Sequence, residues 1–304
     1  MKKVCILGSA GYIGSFLCQF LKKDFEIICH SRKKITDSNF CQNIKNFVNG
    51  DITNHQTLNK IIKLKPDIII YTISLNHFDS EYSLVNSTKV SVSPLLYLLE
   101  NIKKKNLNIE IIYFSTMQVY GREYTKKIIT ETYPKKINNI YALTHSICED
   151  VLISYEQKIK FSILRLSNAF GFPVFPNKNV WWPVLNNICQ MAKKNQSIEL
   201  QSDGSPLRDF VSLYTIGSFV KKLITSNKKN EIINVCSGKT FSILEIARKV
   251  SNNYFFTKPI PIKKRKSTRK KLYNFKYDNL KMKKYFPTVN YNLENEIYNF
   301  LLKI

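Results

Sequence analysis

No run of apolar residues in this 304-residue chain approaches the roughly eighteen that a membrane-spanning helix needs, so no membrane span is expected. Acidic residues are scarce: 22 Asp and Glu stand against 47 Lys and Arg, a formal net charge of +25. Such an excess first suggests a nucleic acid or an anionic membrane as partner. Arginine, however, is also scarce. Only Arg32, Arg122, Arg165, Arg208, Arg248, Arg265 and Arg269 occur, and the lysines are scattered among Asn and Ile, the residues that AT-rich codons favour. The charge is therefore read as composition, and neither nucleic acid nor membrane is expected as a partner; a phosphate-bearing ligand stays open. The seven cysteines include no Cys-x-x-Cys pair, which fits no disulfide framework and points to the reducing cytoplasm. His30, His55, His77 and His145 lack metal-ligand spacing, so no metal is expected. Residues 1–7 resemble a leader peptide only briefly, because the apolar run is too short and enters a glycine-rich turn.

Short apolar runs alternate with segments of helical period. Residues 4–7, 25–29, 68–71, 109–115 and 161–166 read as strands. Residues 12–23, 58–64, 85–103 (with a kink at Pro94) and 138–157 read as helices. This alternation predicts an α/β fold with a doubly wound parallel sheet of the Rossmann type. After Asn168 the rhythm breaks. Residues 172–179 read as a loop, 181–193 and 242–250 as helices, 232–235 as a strand returning to the sheet, and 258–271 as a basic stretch with Pro259 and Pro261. The domains expected are residues 1–168, binding a dinucleotide, and 169–304, a smaller irregular substrate lobe from which 206–236 returns to the sheet.

Gly8-Ser9-Ala10-Gly11-Tyr12-Ile13-Gly14 has the spacing GxxGxxG, follows a strand and opens a helix. Gly8 permits a tight turn, Gly11 lets backbone approach a pyrophosphate, and Gly14 permits close helix–strand packing. Free N–H groups and the positive helix end attract the phosphates. Ala10, Tyr12 and Ile13 complete this cofactor-binding turn. The second strand ends in His30-Ser31-Arg32-Lys33-Lys34, with no acidic residue to bind a ribose 2′-OH. Arg32 with Ser31 suits a 2′-phosphate instead, which favours NADP, with NAD as the alternative.

Together with later motifs, this turn resembles the extended short-chain dehydrogenase/reductase family of sugar-nucleotide epimerases, reductases and dehydratases. Those motifs are Gly50-Asp51-Ile52, Asn86, the segment Phe114 to Gly121 (FSTMQVYG), Tyr141-Ala142-Leu143-Thr144-His145 in place of YxxxK, Arg165 to Gly171 (RLSNAFG), Asp203 to Val211 (DGSPLRDFV) and Asn234 to Gly238 (NVCSG). The resemblance covers nearly the whole chain. It implies that Asp51, with Ile52, meets the adenine, that Asn86 steadies the site, and that Ile73 lies by the cofactor where the family has smaller residues. It implies that Asn168 and Arg208 contact the phosphates of a nucleoside-diphosphate sugar, and that the chain is a homodimer. Trp181 is a candidate for stacking on the nucleotide base, with core packing as its other reading. Residues 263–271 read as a flap over the diphosphate or as a solvated loop.

Hydride transfer at a sugar carbon needs a group to take or return the alcohol proton. The resemblance gives that role to Tyr141 and gives Thr116 the hydrogen bond to the reacting oxygen. His145 stands one helical turn from Tyr141, where the family has Lys. An imidazole is largely neutral at pH 7, which implies a slow enzyme or one with a shifted pH optimum. Met117 and Gln118 carry no acid or base where 4,6-dehydratases place Asp-Glu. The expected activity is therefore hydride transfer at C4, by 4-keto reduction or 4-epimerisation. The alternative is a non-catalytic NAD(P)-binding sensor on the same fold.

Overall fold

The computed structural model describes residues 1–121, 127–176, 181–227, 229–253, 255–266, 275–287 and 292–304. Among them the largest sheet has seven strands, in the order Glu231–Val235, Phe161–Leu166, Glu110–Thr116, Ile68–Tyr71, Lys3–Leu7, Glu26–Ser31, Asn46–Asn49. The strand Lys3–Leu7 pairs in parallel with Glu26–Ser31 on one side and Ile68–Tyr71 on the other, so Leu7 lies opposite both His30 and Tyr71. Later strands add outward in both directions, which makes the sheet doubly wound and puts the reversal of strand order between Lys3–Leu7 and Ile68–Tyr71. A ligand crevice forms at such a reversal, beyond the carboxyl ends of the strands. The run of residues 68–71 is buried throughout, as a strand covered on both faces must be.

The helices follow from their caps. The side chains of Asn54 and Asn139 accept N–H groups at the starts of His55–Lys63 and Ile140–Ser154, and Ser242 with Glu245 forms a capping box ahead of Ile243–Ser251. The single helix expected over 85–103 is instead two, Leu84–Ser91 and Ser93–Lys104. Proline has no N–H to continue the first helix, and Pro94 sits in the first turn of the second, where that loss costs nothing. No helix among the described residues is long and apolar enough to cross a membrane.

The chain divides into two compact units, one of residues 1–121, 134–165 and 220–233, the other of 122–133, 166–219 and 234–304. The core of the first includes Leu7, Ile69, Leu98, Leu99, Ile111 and Ile163. The second is built on a three-stranded sheet, ordered Thr240–Ser242, Leu207–Ser212, Asn168–Phe170, and on a core including Phe170, Leu185, Phe210, Ile246, Ile297 and Phe300. Of the segment 206–236, the strand Glu231–Val235 joins the large sheet, whereas Leu207–Ser212 belongs to the small one. In the basic stretch, Ile262–Lys264 pairs with Ile198–Leu200, a strand too short to leave a periodic signal; residues 267–274 lie outside the described residues, as do 177–180 of the expected loop.

The N-terminal turn is built by close backbone contact. Gly8 has φ +91°, a conformation that L side chains rarely adopt, and a Cβ there would meet Thr72 Oγ1 at 2.8 Å. A Cβ on Gly14 would fall on the carbonyl of Gly8, which is rigid backbone. Replacing Gly14 by Ala should therefore lower stability by about 1–3 kcal/mol and weaken dinucleotide binding. Urea denaturation checks it; an unchanged midpoint would contradict this reading of the turn.

Candidate active site

The turn after the first strand is tied to its neighbour. The N–H groups of Gly8 and Ser9 both donate to the carbonyl of His30, at 3.2 and 2.8 Å, and Gly11 N–H donates back to Gly8 O at 2.8 Å. Ser9 Oγ donates to Ile6 O at 2.7 Å and accepts the His30 N–H at 3.1 Å. Gly11 caps the helix Tyr12–Leu21 without a side-chain hydrogen bond, and no acidic residue stands in the first turn. A Cβ at Gly11 would reach 3.1 Å from Gly8 O and fill the cradle. A helix start left open in this way, with its first-turn N–H groups lacking intrahelical acceptors, fits a pyrophosphate. Ala10 and Gly11 are exposed, and Tyr12 and Ile13 half-buried.

At the end of the second strand, Arg32 is exposed. Ser31 is buried and its hydroxyl donates to the carbonyl of Lys33. Asp51 is exposed; the N–H and hydroxyl of Thr53, each 2.8 Å from its Oδ1, hold its carboxyl below the usual range, and Arg32 adds to the effect. Ile52 points into the core, 3% exposed. Asn86 is an exposed residue of the helix Leu84–Ser91, near its start, its N–H accepted by Ser83; its side chain does not join the cluster described next.

That cluster stands on three elements. Thr116 ends the strand Glu110–Thr116, and its Oγ1 accepts the Gln118 N–H at 3.2 Å. Tyr141 and His145 share one face of the helix Ile140–Ser154, their rings edge-to-face at 4.6 Å. The segment leaving Ile68–Tyr71 supplies Ser74. The hydroxyls of Thr116 and Ser74 lie near the Tyr141 phenol. Burial raises the ionisation of that phenol above its ordinary value, and the two hydroxyls act against the rise.

His145 is 3% exposed. Its Nδ1 hydrogen-bonds the Tyr113 hydroxyl at 2.7 Å, while among the described residues its Nε2 has no partner. Burial pushes the imidazole down to about 4, although the Glu149 carboxylate pulls the other way. One turn further along, Glu149 is fully buried. Arg165 donates to it from Nε at 2.9 Å and from a terminal nitrogen at 2.7 Å, and Ser115 Oγ donates at 2.6 Å. This pair clamps the helix to the strands Glu110–Thr116 and Phe161–Leu166.

Three neighbours of Tyr141 escaped the sequence reading. Ser74 is one. The others are His77, whose ring meets the Tyr141 ring edge-on at 6.1 Å, and Glu81, whose carboxylate accepts the N–H groups of Ile140 and Tyr141 at 3.0 and 3.4 Å. Ser74 was open to detection, because polar residues just beyond a strand at the reversal point are placed to face ligand. The expected substrate residues all lie in the second unit. The Asn168 side chain donates to Asp209 O at 2.9 Å, Arg208 donates to Leu207 O at 2.7 Å, and Trp181 stacks on Phe300 with ring centres 6.3 Å apart.

Residues 4–236 match the NAD-dependent epimerase/dehydratase family. The chain belongs to that family. Its relatives include the GDP-6-deoxy-D-talose 4-dehydrogenase of Aggregatibacter actinomycetemcomitans, 26% identical over 80% of this chain and 77% of that protein. Another is the dTDP-D-glucose 4,6-dehydratase of Dictyostelium discoideum, 25% identical over 83% of this chain but only 62% of the relative. Among solved structures, the Thermus thermophilus UDP-glucose 4-epimerase in complex with NAD superposes with a TM-score of 0.82 at 18% identity, covering 98% of this chain and 97% of that one.

In this family member the neutral His145 has a consequence for stability. Unfolded, an imidazole takes up its proton near pH 6.5; folded, His145 takes it up only near 4. Between those values the unfolded chain binds the extra proton, so stability falls as pH drops from about 6.5 to 4. The full loss attributable to His145 is about 3 kcal/mol. Denaturation of the wild type and of His145→Gln at pH 7 and pH 4.5 should show the wild type losing more; equal losses would contradict the buried neutral state.

Proposed function

We propose that the protein oxidises or reduces carbon 4 of a nucleoside-diphosphate sugar, as a 4-keto reductase or a 4-epimerase. The observation that carries this reading is the nearness of the Thr116 hydroxyl to the Tyr141 phenol, in the compact unit that also holds the N-terminal turn. The turn 8–14 would hold the pyrophosphate, with Asp51 and Arg32 toward the adenosine end. When bound, the nicotinamide supplies or accepts the hydride. Tyr141 takes the hydroxyl proton of the sugar when it is oxidised and returns it when the ketone is reduced, and Thr116 donates a hydrogen bond to the reacting oxygen. Loss of water across carbons 5 and 6 would need an acid and a base beside Thr116. Met117 is buried, and Gln118 Oε1 is held by Asn139 Nδ2 at 3.1 Å; neither residue ionises. This argues against dehydration, although dehydratases are among the relatives.

Arg32 supports NADP as the preferred cofactor, since a guanidinium pairs with a 2′-phosphate. The seven free cysteines fit the cytoplasm. The exposed Tyr82, Leu84 and Val85 support a homodimer, as the apolar surface that a second copy would cover. The other reading, a sensor without turnover, is favoured by the uncharged His145.

Cofactor oxidation with a panel of 4-keto sugar nucleotides separates the two readings. Tyr141→Phe and Thr116→Val should each lower kcat by about 10²–10⁴-fold while leaving the dissociation constant for the dinucleotide nearly unchanged; no turnover by the wild type on any of the panel supports the sensor. Arg32→Ala should weaken NADP binding by about tenfold and leave NAD binding unaltered in calorimetry. Equal effects on the two would return the preference to NAD.

A further inference from the structure

The strand Glu110–Thr116 and the helix Ile140–Ser154 meet as a ladder of two rungs. Tyr113 and Ser115 stand two apart in the strand, on one face and about 6.6 Å from each other. His145 and Glu149 stand four apart in the helix, on one face and about 6 Å from each other. The two steps match. The Tyr113 hydroxyl meets His145 Nδ1 at 2.7 Å, and Ser115 Oγ meets Glu149 Oε1 at 2.6 Å. All four residues are buried.

The Glu149 rung is closed. Ser115 and Arg165 donate to one carboxylate oxygen at 2.6 and 2.9 Å, while Arg165 and Lys135 stand 2.7 and 3.2 Å from the other. The His145 rung is not. A neutral imidazole has one N–H and one bare nitrogen, and its partner decides which is which. Among the described residues no other nitrogen or oxygen bonds the Tyr113 hydroxyl, and the Cys148 thiol near it is a weak acceptor. Donated to Nδ1, the phenol proton is well used; with a proton already on Nδ1, the phenol O–H would be left with sulfur. The first arrangement puts the imidazole proton on Nε2, which has no partner among the described residues. A buried N–H without an acceptor is costly, and a ligand oxygen removes that cost. The ring stands edge-to-face with Tyr141, in the unit that holds the N-terminal turn, whereas the expected sugar-nucleotide residues lie in the other unit.

We propose that Tyr113 is a positioning residue: its hydroxyl donates to His145 Nδ1, holds the ring as the tautomer protonated on Nε2, and so presents an N–H donor to an oxygen of the bound dinucleotide. The inference rests on the proposed dinucleotide site, but its first test needs neither cofactor nor sugar. Two-bond proton–nitrogen correlation spectra of histidine-labelled protein separate a bare ring nitrogen from a protonated one, and the chain has only 4 histidines to assign. At pH 7 the signals lost in His145→Leu should show a bare Nδ1 and a protonated Nε2. In Tyr113→Phe, which keeps the ring and drops the hydroxyl, the two nitrogen shifts should move toward each other as the tautomers mix. Adding NAD or NADP to the wild type should displace the Nε2–H signal. Tyr113→Phe should weaken the binding of both dinucleotides about fivefold, as loss of one hydrogen bond does. In the His145→Leu background, where there is no tautomer to set, it should add nothing, whereas a merely structural hydroxyl would weaken binding in both backgrounds. A protonated Nδ1 in the wild type, or an unchanged dissociation constant in Tyr113→Phe, overturns the proposal even if Tyr141→Phe is inactive. The expected tautomer and binding changes in a protein that turns over no sugar nucleotide uphold it and sink the enzymatic reading instead.

Discussion

Everything in the site hangs from the carbonyls of Leu7 and Gly8. Leu7 O accepts both donors of Thr72, which fixes how the chain leaves the fourth strand of the chain. Gly8 O accepts Gly11 N–H and lies where a side chain at Gly14 would have to go. The amides of Gly8 and Ser9 are spent on His30 O. Strand exits that would otherwise be loose are thus cross-tied within one short stretch, at the point where the strand order reverses. The helix can start close enough to the strand to aim its amides at a ligand only because positions 8, 11 and 14 have no Cβ.

The charges obey a second constraint. The helix Ile140–Ser154 buries a full negative charge at Glu149, and that is tolerable because Arg165 and Ser115 satisfy both carboxylate oxygens. One turn earlier stands an imidazole that burial keeps neutral. At the start of the helix, the positive dipole end that would favour a phenolate is already answered by Glu81. Near the Tyr141 phenol, the hydroxyls of Thr116 and Ser74 act against the effect of burial.

Much of this was legible beforehand. The alternation of apolar runs and helical periods announced the sheet, and the GxxGxxG turn announced its first crossing. Tyr141, Thr116 and His145 were singled out because their segments resemble the family's motifs, and the four-residue spacing put Tyr141 and His145 on one face of a helix. The break at Val92 was not resolved from the kink at Pro94, since periodicity continues across both. The two- and three-residue strands left no pattern long enough to detect. Ser74 was passed over because its segment was read for the small side chains it lacks. Its hydroxyl gains meaning only when a strand end and a helix face are brought together, and neither lies near the other in sequence.

The same limit explains why relatives with one fold carry different names. A dehydrogenase, a dehydratase and an epimerase are all among the similar proteins, so the fold cannot choose between them. What can choose is the chemistry of the few side chains beside the reacting oxygen. Here that neighbourhood is the short 3₁₀ turn Met117–Tyr120, whose start is fixed by the Thr116 side chain accepting Gln118 N–H. A buried thioether and an amide held by Asn139 occupy it. Neither can exchange a proton with carbon 5 or carbon 6 of a sugar. On the proposed function the phenol at 141 exchanges the proton of the oxygen on carbon 4, and a proton exchanged at one oxygen is enough for reduction or epimerisation but not for elimination.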